Sequence, residues 1–178
     1  MLFDKNDAQL VLLSCQEDVY TKSTDPEEFF AQIQKLSRVA QIFQIPIWSV
    51  VHMPKVWGEY MRGCQPFCDR PMESPSFSAC DILAPHLNPV RSSSGGNARS
   101  LPRHLQKSQS ANSERNTIVI DGCEAHVCLL QTALDLLEDE FFVWVVTDAC
   151  TSRTERNRDA AFDRLAGAGA ELVTTEMV

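Results

Sequence analysis

Thr117-Ile118-Val119-Ile120-Asp121-Gly122-Cys123-Glu124-Ala125-His126-Val127-Cys128 is the stretch from which the fold is read. Thr117 to Ile120 has the composition of a short buried strand, and Leu129 to Leu137 repeats apolar residues at helical spacing. Gly122 permits a tight turn between them, and the short side chains of Cys123 and Ala125 let the backbone approach a ligand closely. Cys128 then falls in the first turn of a helix, at the carboxyl end of a strand. Free N–H groups and the helix dipole at such a place favour a thiolate and bind the oxyanion of a carbonyl under attack, which suits a nucleophile. The same spacing also fits a cysteine that only packs against the sheet.

Outward from this turn, Leu10 to Ser14, Pro46 to Val51, Phe142 to Val146 and Glu171 to Thr174 read as further strands, with helical patterns between them. Asp25-Pro26-Glu27-Glu28 carries the start signals of a helix, whose buried stripe is expected to be Phe29, Ile33, Leu36, Ala40 and Phe43. This alternation predicts a three-layer α/β/α fold around a central, mainly parallel sheet with right-handed crossovers. Ligands of such sheets bind beyond the carboxyl ends of the strands, where His52 should follow the run Ile45 to Val51. An imidazole there has the pKa of a general base, although it could equally cap the strand. Lys55 offers a positive charge or a solvated loop residue. His126, two residues before Cys128 on a helix, should point to another side.

The chain has 178 residues, 44% of them hydrophobic, which fits a single domain spanning 1–178 with a sizeable core. Its net charge of −8 argues against a nucleic-acid partner, because phosphate binding is driven by basic surface. Seven cysteines without paired Cys-x-x-Cys spacing point to reduced thiols and a cytoplasmic setting. Cys64 and Cys68 are four apart, but no second pair or nearby histidine completes a metal site, so neither metal nor cofactor is expected. No signal peptide or long apolar span is legible, and no membrane contact is expected. Residues 88–116, rich in serine and arginine and including Ser92-Ser93-Ser94-Gly95-Gly96, lack an apolar period and are expected to form a mobile insertion.

The run from Gly122 through Cys128 to Leu137 resembles the nucleophile signature of the isochorismatase-like cysteine hydrolases. Val146-Thr147-Asp148-Ala149-Cys150-Thr151-Ser152-Arg153 is similar to the next strand of that family, and Val51-His52-Met53-Pro54-Lys55 to its second-strand exit in the metal-free subgroup. Leu12-Leu13-Ser14-Cys15-Gln16 and Phe77-Ser78-Ala79-Cys80-Asp81 resemble the remaining two signatures. The resemblance implies a catalytic triad of aspartate, lysine and cysteine. Cys128 keeps the cysteine, Ser14 stands two residues before Gln16 where the aspartate is expected, and Ser74 stands three before Phe77 where the lysine is expected. A serine neither takes the thiol proton nor holds negative charge in check, so the triad is degenerate and activity should be weak, altered or lost. A rewired site would use His52 as its base. The alternative is a non-enzymatic binding or scaffolding member of the family. The resemblance further implies a cis bond between Cys123 and Glu124, an oxyanion hole from the N–H groups of Glu124 and Cys128, a small carbonyl or carboxylate ligand, and a homo-oligomer.

Overall fold

The computed structural model describes residues 3–87 and 115–178. The elements run β1 (Ala8–Leu13), α1 (Glu17–Tyr20), α2 (Pro26–Ile42), β2 (Ile47–His52), α3 (Pro54–Trp57), β3 (Met72–Ser74), α4 (Cys80–Leu87), β4 (Thr117–Gly122), α5 (Leu130–Glu138), β5 (Phe142–Cys150), α6 (Glu155–Ala168) and β6 (Glu171–Val173). The expected mobile insertion, apart from Arg115 and Asn116, lies outside the described residues.

Among the described residues six strands pair in the order β3-β2-β1-β4-β5-β6, each pairing parallel. β1 and β4 are buried at every position, as strands covered on both faces must be. On one face α2 sets Phe29, Ile33, Leu36 and Ala40 against Leu10, Leu12, Val51, Val119 and Val146. On the other, α4, α5 and α6 set Leu83, Ala133, Leu136 and Leu165 against Val11, Leu13, Val50, Ile120 and Val145. The helix stripe departs from expectation at Phe43, which is half exposed. α2 has ended at Ile42, so Phe43 leaves the helical period, and Lys5 lies 5.3 Å from its ring centre. β3 was not legible in the sequence, because three residues are too few to show a period.

The turn after β4 closes tightly. Gly122 has φ 144°, and a Cβ there would lie 2.0 Å from the Leu13 carbonyl oxygen, so only glycine fits. Cys123 N–H donates to that same carbonyl at 3.0 Å, and Ala125 N–H donates to the Thr151 carbonyl at 2.9 Å. The exits of β1, β4 and β5 are thereby tied together at one end of the sheet.

Candidate active site

Cys128 lies in a π-helical turn, Ala125–Leu129, that leads directly into α5. The expected cis bond is not found: the bond between Cys123 and Glu124 is trans, as are all peptide bonds among the described residues. Glu124 reverses the chain instead, with left-handed φ 56° and ψ 53°, two residues after the permissive Gly122. The expected oxyanion hole loses the geometry on which it rested.

Ser14 leaves β1 with φ 53°, and its hydroxyl lies 2.8 Å from Nδ1 of His52, at the end of β2. Its hydroxyl also acts on the Cys128 thiol, favouring the thiolate. Thiol, hydroxyl and imidazole thus form a short chain. Gln16 locks the two strand exits together: its Oε1 accepts from His52 N–H at 2.8 Å, and its Nε2 donates to the carbonyls of His52 at 3.2 Å and Gly58 at 2.7 Å. His52 is 1% exposed, and its buried Nε2 has no hydrogen-bond partner among the described residues.

Burial sets the protonation of this chain. It pushes the Cys128 thiol up to about 11, with the Ser14 hydrogen bond acting downward and the Glu124 charge upward. Burial also lowers His52 to about 4, only partly opposed by the Phe77 backbone. At neutral pH the pair rests as thiol and neutral imidazole, not as a preformed ion pair.

These residues line a cavity of about 150 Å³ with Gln16, Val19, Trp57, Phe77, Glu124, Val127 and Arg153. Ser74, paired in register with His52, does not reach it: its hydroxyl donates to the carbonyls of Ser76 at 2.9 Å and Ser78 at 3.2 Å. Lys55 is exposed on α3 and absent from the lining. His126 is turned toward Ser152, with Nδ1 3.1 Å from its hydroxyl. The walls Val19, Trp57, Phe77 and Val127 and the side chain of Arg153 were not singled out as a pocket by sequence, and Glu124 was named there for its N–H and not for its carboxylate. Arg153 stands in a motif that is visible there, but its partner is chosen by the fold. Among the described residues no three histidine, cysteine or acidic side chains are grouped to hold a metal ion, and no helix is long and apolar enough to cross a membrane.

A model of the isochorismatase domain matches residues 100–177. The chain is 42% identical over 170 residues to mouse isochorismatase domain-containing protein 2A, covering 93% of this chain and 71% of the relative. It is 29% identical over 170 residues to the rat isochorismatase domain-containing protein 2, covering 93% and 70%. Among solved structures, one described as MAR1 ribonuclease from Caenorhabditis elegans superposes with a TM-score of 0.80 at 25% identity, over 99% of this chain and 81% of that one. Escherichia coli YcaC, described as an octameric hydrolase of unknown specificity, superposes with a TM-score of 0.76 at 23% identity, over 97% and 78%. The parallel sheet, the turn that carries Cys128 and the likeness to the mouse protein lead to one conclusion: this chain belongs to the isochorismatase-like hydrolase family.

Proposed function

We propose that this chain is a degenerate isochorismatase-like hydrolase, in which Cys128 sits in a pocket for a small carbonyl compound and efficient turnover of isochorismate or nicotinamide has been lost. The observation that carries this reading is the hydrogen bond of 2.8 Å between Ser14 and His52 beside Cys128. Ser14, beside a neutral imidazole, stands where a carboxylate would be needed, and Ser74, where an ammonium would be needed, is engaged in its own turn. His52 can still receive the thiol proton through the Ser14 hydroxyl as a carbon–sulfur bond forms. That transfer starts from a thiol near 11 and ends on a base near 4, so it is steeply uphill and chemistry is slow.

The trans bond before Glu124 and the raised thiol favour the second reading, a member that binds its ligand without transforming it. Ribonuclease activity, named for the nematode structure, finds little support in a pocket of about 150 Å³ on a chain of charge −8. Assembly into a homo-oligomer belongs to the same proposal, and gel filtration with light scattering tests it.

Steady-state assays with isochorismate and nicotinamide decide between weak and ordinary catalysis. Turnover below about 1 per second is expected, and a higher rate would sink the degenerate-site reading. Ser14→Asp combined with Ser74→Lys should raise any residual rate by restoring a proton acceptor and a cation. A wild type and a double variant that are both inactive, while the ligand still binds, would favour the binding member.

A further inference from the structure

We infer that the ion pair between Glu124 and Arg153 makes the Cys128 pocket selective for small uncharged ligands and against their carboxylate analogues. This inference rests on the Cys128 pocket proposed above. Among the described residues that line the cavity, Arg153 carries the only permanent positive charge and Glu124 is the only acid. The two meet face to face, Arg153 Nε at 3.1 Å from Glu124 Oε1 and Nη2 at 3.2 Å from Oε2, a geometry that spends the guanidinium on the protein's own carboxylate.

The other polar groups are also engaged. Gln16 uses both ends of its amide on backbone, and Ser14 is shared by His52 and Cys128. What faces a ligand is the uncharged ring of His52 and the apolar walls Val19, Trp57, Phe77 and Val127. A carboxylate entering this space would meet Glu124 without a free cation to offset it, in a site where burial already disfavours charge. An amide, aldehyde or similar neutral carbonyl brings no charge into the site and lays its apolar body on the walls. A volume of about 150 Å³ limits it to a few heavy atoms beyond that group.

Iodoacetamide and iodoacetate test this directly, because they have the same size and reactive carbon and differ in charge. In either reaction the Cys128 sulfur forms a bond to the methylene carbon, the carbon–iodine bond breaks with iodide leaving, and the thiol proton passes to solvent. Labelling of Cys128 is followed by peptide mass spectrometry. The amide-to-acid rate ratio should exceed that of a free cysteine peptide at least tenfold. Glu124→Gln, which releases Arg153, should bring the ratio down at least tenfold. Glu124 also raises the Cys128 thiol, but that effect acts on both reagents and cancels in the ratio. A wild-type ratio equal to that of the free peptide, or one unchanged by Glu124→Gln, overturns the inference.

If neither reagent labels Cys128, the nucleophile reading falls, and selectivity is then read by ligand-detected NMR with isobutyramide and isobutyrate on the unmodified protein. Wild type binding the amide at least tenfold more tightly, with the preference reduced or reversed in Glu124→Gln, upholds the inference. Equal or tighter binding of isobutyrate by wild type overturns it.

Discussion

Cys128 and Cys123 stand five residues apart on one turn, yet they occupy two different environments. Cys128 lines a cavity and shares a hydroxyl with an imidazole, whereas Cys123 is fully buried in the core under α2, with Cys15 and Cys64 in the same cluster. The sealed region holds reactive groups as well: Asp121 is fully buried, and neither of its carboxyl oxygens has a partner. Burial, helped slightly by Cys64, raises its pKa well above the usual carboxylate range, and burial likewise raises Cys123. Cys15 is raised first by its hydrogen bond to Cys64 and then by burial. The difference teaches that a thiol and an acid in proximity do not make a site. A cavity that admits a ligand is what separates the two regions.

The strongest way to break this comparison is at the residue that separates the regions. Gly122→Ala would drive a Cβ to 2.0 Å from the Leu13 carbonyl oxygen at φ 144°, and Leu13 immediately precedes Ser14. A loss on the order of 4 kcal/mol or more is expected, read as failure to fold or as a collapsed unfolding midpoint in urea. A folded variant of near-wild-type stability would show that the turn is not held as tightly as described.

The two regions should also respond to pH in opposite directions. Asp121 has a folded pKa above its unfolded value, so its contribution is complete below about 4 and is lost as pH rises toward the folded value. That loss runs at about 1.4 kcal/mol per pH unit within the window. Asp121→Asn should remove this fall, so that in urea melts the stability of the variant relative to wild type rises between pH 4 and 7. An unchanged slope would mean that the carboxyl has found a partner or water.

His52 works in the other direction and more weakly. Its folded value of about 4 lies below the unfolded 6.5, so its contribution is complete above 6.5 and is lost as pH falls toward 4. About 3 kcal/mol is at stake over that window. His52→Gln should remove this acid sensitivity while leaving the Asp121 slope in place, and stability curves of the two variants and their combination check the independence of the regions. At pH 8 the same variant should slow Cys128 alkylation by about tenfold, below the usual worth of a general base because the unassisted thiol retains some reactivity. An unaltered rate would show that His52 only supports the strand exit.

Much of the fold was legible in the residues themselves. Strand and helix periods, the start of α2 at Asp25-Pro26 and the glycine between β4 and the Cys128 turn are local signals, because dihedral preference and side-chain spacing act over a few residues. Phe43 and β3 escaped for the same reason, one lying just past the end of its helix and the other too short to show a period. The candidate site was half legible. Cys128, Ser14 and His52 were each named, and the fold brings them together, but Ser74 turned into its own serine-rich turn.

By itself the sequence determined an α/β chain with its nucleophile candidate at a strand exit, and it placed serine where a charged triad is expected. Only the tertiary structure decided that Ser14 meets an imidazole 38 residues away, that Glu124 takes a left-handed conformation on a trans bond, and that Arg153 is neutralised by Glu124. The physical reason is that hydrogen bonding, desolvation and charge pairing depend on which distant residues the register of a parallel sheet brings side by side, and no local pattern in the chain encodes that distance.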